Sequence, residues 1–322
     1  MFSSLGLIVI GFALLIGGGE LLLRGAVKIA TLAKLTPAVI GLTIVAAGTS
    51  VPELAVSIIA AMSGKTDISV GNVVGSNIFN ITLILGLTAV YRPLSVSGNT
   101  VRLEYPAMAL VTMLFVVLSR DGWIGRLDAL FLIFVYVVFT AYLVGLVRHQ
   151  VSGSESESLD EEVKTLGAES PEQINVWSAI GLTVIGVALL GYGADLTVKG
   201  AVYIGQFFGM SERIIGLTIV GAGTSLPEIV TSIIAAKRGR NDVAIANILG
   251  SNLFNIAGIL GMTAILSPLS VAEGIMRYDS WWMLGTALLI FPIMKSDMDI
   301  NKREGKFLLA VYGVYLTSLI FA

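Results

Sequence analysis

Two copies of one long sequence pattern constrain this chain more than any other feature. GLTIVAAGTSVPEL at 41–54 returns as GLTIVGAGTSLPEI at 216–229, and GSNIFNI at 75–81 returns as GSNLFNI at 250–256. The offset of 175 positions, from Glu53 to Glu228, holds without a gap from about residue 14 to residue 90. Of the 50 residues in 41–90, 30 are identical in 216–265. Shared composition does not produce gapless identity of this density, so the chain is an internal duplication.

The composition places both copies in a membrane. Hydrophobic residues make up 55% of the 322 residues, charged residues only 13%, and the mean hydropathy is +0.88. A soluble chain of this length carries about a quarter charged residues. Many apolar runs are long enough to cross a hydrocarbon core of about 30 Å. A membrane β-barrel requires segments of about 10 residues in which apolar and polar residues alternate, and this pattern is absent. The sequence therefore predicts a polytopic, all-α membrane protein.

Ten apolar runs fall into two sets of five. They cover residues 5–23, 37–62, 68–90, 105–118, 123–147, 177–197, 213–236, 243–266, 278–294 and 307–322. A polar stretch that includes SGSESESLDEE separates the sets and cannot build a core of its own. We therefore expect a first five-helix repeat at 1–147, a linker loop at 148–175, and a second five-helix repeat at 176–322.

An odd number of spans per copy sets the orientation of the second copy. After five crossings the chain is on the other side of the membrane, so ten transmembrane helices should form two inverted five-helix repeats, an arrangement that places substrate sites near the midplane. The Lys and Arg residues divide into 14 on one predicted side and 6 on the other, together the 20 of the chain. The positive-inside rule then predicts a multi-pass protein of the cell membrane with both termini outside and the 148–175 loop in the cytoplasm.

Two carboxylates, Glu53 and Glu228, lie deep in apolar runs at matching positions. A carboxylate at the bilayer centre costs roughly 3 kcal/mol or more, and such residues usually face a cavity or an ion path. The alternative interpretation is a protonated acid that bonds to a neighbouring helix. Each Glu follows a proline, Pro52 or Pro227, which should break its helix and leave main-chain carbonyls without partners.

Further oxygen-bearing side chains stand at helical spacing around each carboxylate. Neighbours three or four residues apart share one helix face. The set comprises Thr49, Ser50, Ser76 and Asn80 in the first copy, and Thr224, Ser225, Ser251 and Asn255 in the second. Hydrogen bonding between helices is the alternative role for the Ser and Asn residues. The pairs Glu20/Arg24 and Asp195/Lys199 are interpreted as structural ion pairs at helix ends.

The chemistry of this set favours hard cations. The chain has no cysteine, and its one histidine, His149, is placed in the polar loop. Ca²⁺ takes six to eight oxygen ligands, whereas softer metals select imidazole or thiolate. Two carboxylates suit one divalent ion or a few monovalent ions, but not both at once, which is the physical basis of exchange. Without a cation the carboxylates should repel each other, so at least one should take up a proton.

At these residues the sequence resembles the cation/calcium exchanger superfamily, and most closely its prokaryotic sodium/calcium exchangers. The resemblance rests on G-T-S-x-P-E and G-S-N-x-x-[ND], each present twice, and covers nearly the whole chain. It implies that Glu53 and Glu228 hold Ca²⁺ and share in Na⁺ binding. It also implies ligands from the eight hydroxyl and amide residues named above and from the carbonyls of Ala46 and Gly221. Electrogenic exchange by alternating access, in which the first and sixth helices slide across a fixed core, would follow.

The expected function is therefore secondary active exchange of Ca²⁺ for Na⁺, without a cofactor and without enzymatic activity. Asn255 stands where K⁺-cotransporting members tend to have Asp, which argues weakly against K⁺ dependence. Coupling to H⁺ or K⁺ and a passive cation channel remain alternatives, whereas an intramembrane hydrolase is disfavoured because its motifs are absent. The expected partners are Ca²⁺, Na⁺ and the lipid bilayer, with no nucleic acid and with a monomeric protein.

Overall fold

The fold is a bundle of long helices joined by short connections. The structure, a computed structural model, describes residues 2–33, 35, 37–150, 175–208 and 221–321. Most of the predicted linker, residues 151–174, lies outside the described residues, as do residues 209–220 at the start of the run at 213–236. Residues 148–150 belong to a helix that ends at Gln150, so the predicted place of His149 in a loop was wrong; its side chain lies outside the described residues.

The first copy forms six helices that we label α1 to α6. They are α1 (Phe2–Ala33), α2 (residues 37–49), α3 (Val51–Met62), α4 (Thr66–Tyr91), α5 (Thr100–Asp121) and α6 (Arg126–Gln150). The second copy forms α7 (Val176–Phe207), α8 (Gly221–Thr224), α9 (Leu226–Lys237), α10 (Asn241–Leu266), α11 (residues 275–297) and α12 (Lys302–Phe321).

Six helices of the described residues are long and apolar enough to cross a membrane: α1, α4, α5, α6, α7 and α10. A bent pair, Gly41–Thr49 with Val51–Met62, makes a seventh span if it is counted as one. The chain is therefore a helical membrane protein, and the full count of ten spans stays a prediction.

The prolines interrupt the helices as the sequence predicts. Helix α2 ends at Thr49, Ser50 lies in a turn, and α3 begins at Val51 with its axis bent by 52°. Pro52 stands in the first turn of α3, where a missing N–H leaves no helical hydrogen bond unmade. The second copy repeats this break at Ser225, between α8 and α9. The predicted breaks are confirmed in both copies.

Helices α4 and α10 form the centre of the bundle. In the most apolar 18-residue stretch of α10, 100% of the residues are buried, and in that of α4, 78% are. The corresponding shares are 28% for α1, 22% for α7 and 17% for α6, so these helices lie at the periphery. Residues carried by α4 and α10 therefore sit in the interior of the protein.

Short strands link the ends of the helices across the two copies. Strand β1 (Leu94–Ser95) pairs antiparallel with β4 (Asp299–Ile300), and β2 (Trp123–Ile124) pairs antiparallel with β3 (Leu269–Ser270). Thr66 at the start of α4 hydrogen-bonds to Ser270, and Asn241 at the start of α10 donates to Ser95 (2.9 Å). Each of the two helices thus begins where the other ends, and α4 and α10 run antiparallel.

The peripheral helices α1 and α7 pack closely through glycines. Gly18 and Gly186 face backbone atoms of the opposite helix, with no room for side chains between them. Such small-residue contacts are common between membrane helices because they let backbones approach.

The two predicted ion pairs form, but not at helix ends. Arg24 Nε lies 2.7 Å from Glu20 Oε1, and Lys199 Nζ lies 2.7 Å from Asp195 Oδ2. Helix α1 continues to Ala33 and α7 to Phe207, so the predicted location was wrong. The apolar runs end before the helices do, because hydropathy follows contact with lipid and not backbone hydrogen bonding. Glu20 also pairs with Arg238 just after α9, a contact between the copies.

Candidate ion-binding site

The break before each proline places a glutamate in the first turn of a buried helix. Glu53 is the third residue of α3 and Glu228 the third residue of α9, and each is 1% exposed. The unpaired N–H groups at a helix start favour negative charge there. Each carboxylate accepts a hydrogen bond from the turn that precedes the other one, so the two lie near each other. The fold thus holds two buried acids near one another, which costs free energy unless positive charge compensates them.

Reciprocal hydrogen bonds connect the two copies at this point. The hydroxyl of Ser50 donates to Glu228 Oε1 (2.8 Å), and the hydroxyl of Ser225 donates to Glu53 Oε1 (2.9 Å). Both serines occupy the turn between helices and are buried. Each GTS-x-PE motif therefore donates a hydrogen bond to the glutamate of the other copy.

The threonines before the breaks lie against the same acids. Thr224 interacts with Glu53, and Thr49 with Glu228. The carbonyl of Ala46 accepts the Ser50 N–H (3.1 Å) and the Thr49 hydroxyl (3.2 Å). Gly221, its equivalent, begins α8.

The remaining predicted side chains lie on the two central helices. Ser76 and Asn80 lie on α4, and Ser251 and Asn255 lie on α10; all four are at most 4% exposed. Ser225 Oγ is 3.5 Å from Ser76 Oγ, which joins α4 to the glutamate cluster. Asn80 begins a stretch of π-helix and Asn255 lies within another. These wider turns, frequent at functional sites, were not predicted from the sequence.

Several buried oxygens of this set have no hydrogen-bond partner among the described residues. They are Glu53 Oε2, Glu228 Oε2, Asn80 Oδ1, Asn255 Oδ1 and Ser251 Oγ. Buried polar atoms without partners are rare, and each one costs about 1–3 kcal/mol. Carboxylate, amide and hydroxyl oxygens are the ligands that Ca²⁺ and other hard cations take. The part of the chain that the structure describes holds no cluster of three or more His, Asp or Glu residues, so the negative charge here comes from two carboxylates.

Two asparagines of the central helices donate hydrogen bonds to the helices that carry the glutamates. Asn72 donates to Ser57 Oγ (3.0 Å) and to the Glu53 carbonyl (3.3 Å). Asn247 in the second copy donates to Ser232 Oγ (3.0 Å) and to Thr231 Oγ1 (3.2 Å). The serines were not singled out in the sequence analysis, although their occurrence at equivalent positions of the two copies was a usable signal.

A third buried acid, Glu104, escaped the sequence analysis. It is 2% exposed, and its Oε2 accepts the Thr100 hydroxyl (2.9 Å). The run at 105–118 excludes it, but α5 begins at Thr100 and carries it inside the protein. It lies outside the set described above.

Comparison with known proteins decides the family. The sequence model of the sodium/calcium exchanger protein family matches residues 3–145 and 178–321, nearly the whole chain. The chain belongs to the sodium/calcium exchanger family. This is a family of membrane antiporters and not of enzymes, so the predicted class is confirmed, together with its helical membrane character.

Relatives of this exchanger extend along nearly its full length. CaxA of Alkalimonas amylolytica is 37% identical and the sodium/calcium exchanger MaX1 of Methanosarcina acetivorans 28% identical; the matches cover 96% and 98% of both chains, respectively. The inner membrane protein YrbG of Escherichia coli is 35% identical over 83% of this chain and 81% of its own. A solved structure of the sodium-calcium exchanger NCX_Mj superimposes with a TM-score of 0.81 at 28% identity, covering 99% of both chains.

Proposed function

We propose that this exchanger moves Ca²⁺ out of the cell in return for Na⁺, and that both ions use the site around Glu53 and Glu228. The ligands are the residues named in the sequence analysis, with Ser76, Ser251, Asn80 and Asn255 completing the two carboxylates and the hydroxyls of the turns. The carbonyls of Ala46 and Gly221 are proposed as main-chain ligands. The names of MaX1 and NCX_Mj, both sodium/calcium exchangers, support the choice of ions.

One observation carries the proposal. Each copy gives a serine to the glutamate of the other copy, while one oxygen of each carboxylate is buried without a partner among the described residues. A purely structural role as a protonated acid would leave these second oxygens, and the unpaired amide oxygens of Asn80 and Asn255, unexplained. A bound cation satisfies all of them at once.

Two carboxylates also explain why the ions exchange. One Ca²⁺ neutralises both negative charges, and so do two Na⁺, so the two kinds of ion compete for the same charge. A third Na⁺ held by neutral oxygens would make each cycle electrogenic. Because both glutamates are 1% exposed, ions reach them only when the protein changes conformation, and we therefore propose alternating access.

An inverted pair of five-helix repeats with ten spans is proposed as the architecture. Equivalent contacts occur twice with the roles of the copies exchanged: Ser50 with Glu228 and Ser225 with Glu53, and likewise β1 with β4 and β2 with β3. The antiparallel course of α4 and α10 supports it further. The division of Lys and Arg favours termini outside and the 148–175 loop in the cytoplasm. We also propose a monomer, because one chain supplies both halves of the site.

Ion gradients imposed one at a time on proteoliposomes test the coupling. Vesicles loaded with Na⁺ should take up Ca²⁺ saturably when diluted into Na⁺-free medium, because outward Na⁺ movement releases the carboxylates for Ca²⁺. Ca²⁺ uptake, measured with a radioactive or fluorescent tracer, should increase when valinomycin and K⁺ set the inside positive and decrease when they set it negative, because each cycle that brings Ca²⁺ in carries net positive charge out.

The controls use the same vesicles with K⁺ or H⁺ gradients in place of Na⁺. Uptake that follows a pH gradient and ignores Na⁺ would assign H⁺ as the coupling ion, and a requirement for K⁺ on the Na⁺ side would assign cotransport. Single-channel currents that need no counter-ion would indicate passive permeation instead of exchange.

A further inference from the structure

The two central amides, Asn80 and Asn255, are held differently although they occupy equivalent positions. Asn80 Nδ2 donates to Asn252 Oδ1 (2.9 Å), a residue of the other copy. Asn252 Nδ2 in turn donates to the main-chain carbonyl of Asn77 (3.1 Å). Asn252 therefore bridges two positions of α4 and holds the nitrogen end of the Asn80 amide.

The second copy lacks this bridge. Asn77, the equivalent of Asn252, donates instead to the carbonyl of Val73 in its own helix (2.8 Å). Neither Nδ2 nor Oδ1 of Asn255 has a hydrogen-bond partner among the described residues. The pseudo-symmetry of the site is thus broken at one contact.

The consequence follows from the shape of an amide. Its oxygen and nitrogen ends are almost equal in size, but only the oxygen can bind a cation, since the NH₂ group carries donors alone. Both Asn80 and Asn252 are 1% exposed, so bulk solvent does not reach the NH₂ group. A partner that accepts from Nδ2 therefore decides that Oδ1, which is buried without a partner, is the end left for an ion.

We propose that Asn252 is a positioning residue that presets the Asn80 oxygen for Ca²⁺, so that one copy supplies a fixed amide ligand and the other an adjustable one. This inference rests on the proposed function, because it assumes that Asn80 is a ligand. It concerns affinity for Ca²⁺ and not the rate of the conformational cycle.

A double-mutant cycle tests it through the Ca²⁺ concentration for half-maximal uptake. Asn252→Ala should raise that concentration about five-fold, with the maximal rate within about two-fold, because the loss of one hydrogen bond to a buried ligand is worth about 1 kcal/mol. Asn80→Ala should raise it at least as much. Adding Asn252→Ala to Asn80→Ala should then cause no further increase, since the residue to be oriented is gone.

A matched control separates positioning from general bracing of the two copies. Asn241, at the start of the same helix, also bonds to the other copy, through Ser95. Asn241→Ala removes this bond and should leave the Ca²⁺ concentration for half-maximal uptake unchanged. Asn252→Asp keeps an acceptor for Asn80 Nδ2 and should preserve affinity better than Asn252→Ala. Additive effects of the two alanines, or equal loss in Asn252→Asp and Asn252→Ala, would overturn the proposal. Absence of Ca²⁺ uptake by the unmodified protein would instead overturn the proposed function.

Discussion

Replacing either central glutamate with glutamine is expected to abolish Na⁺-driven Ca²⁺ uptake. Glu53→Gln and Glu228→Gln each keep an oxygen that accepts the serine hydroxyl of the other copy, so the fold around the turns should persist. Each removes one of two negative charges from a buried site. Losing one partner of a buried charge pair costs about 2–5 kcal/mol, so Ca²⁺ affinity should fall by about 100-fold or more. Proteoliposome flux measures this loss.

Thermal unfolding in detergent gives a second measurement that does not depend on transport. A ligand that binds only the folded state raises its stability in proportion to the logarithm of its concentration above the dissociation constant. Ca²⁺ should therefore raise the unfolding midpoint of the unmodified exchanger and leave that of both glutamine variants unchanged. Without cations, the variants should be at least as stable as the unmodified protein, because glutamine avoids the cost of either protonating or burying a second carboxylate.

A surface acid provides the matched control. Glu273 forms an ion pair with Arg277 one turn away, and its side chain is 68% exposed. Such pairs contribute little, so Glu273→Gln should change neither flux nor the response of the midpoint to Ca²⁺. Ca²⁺ uptake that survives both Glu53→Gln and Glu228→Gln would remove these residues from the site.

The parts of the fold that the sequence predicts are those set by local chemistry. Pro52 cannot donate a hydrogen bond and clashes with the preceding turn, so the break at Ser50 follows from neighbours in the chain. Spacing by three and four residues places Thr49, Ser50 and Glu53 on one face wherever the helices pack. The internal repeat then requires the same arrangement at Glu228, and the structure brings both clusters together.

Other features depend on how distant segments meet and could not be predicted. The sequence contains both serines and both glutamates, but not the fact that each serine bonds to the glutamate of the opposite copy. Nor does it distinguish Asn252 from Asn77, since the motifs around them are nearly identical. Asn252 nevertheless bonds to the other copy and Asn77 to its own helix. Helix ends were misjudged for a related reason, because Glu20 and Arg24 interrupt an apolar run without interrupting α1.

The close contact between α1 and α7 predicts opposite effects for two glycine substitutions on one helix. A Cβ atom on Gly186 would lie 2.5 Å from the Leu22 nitrogen and 2.8 Å from its Cα. These are backbone atoms that cannot turn aside, so in Gly186→Ala the two helices must separate. Overpacking of this kind costs about 1–3 kcal/mol, and the midpoint of thermal unfolding in detergent should fall by several degrees.

Gly191 on the same helix is the control. A Cβ atom there meets no described atom within 4 Å, so Gly191→Ala adds a methyl group without a clash. Within a helix, alanine is favoured over glycine by about 1 kcal/mol, and the unfolding midpoint should stay the same or rise. Opposite shifts from the same chemical change would show that the backbone contact, and not helix propensity, requires glycine at 186. Equal shifts would mean that α1 and α7 do not pack as closely as the structure has them.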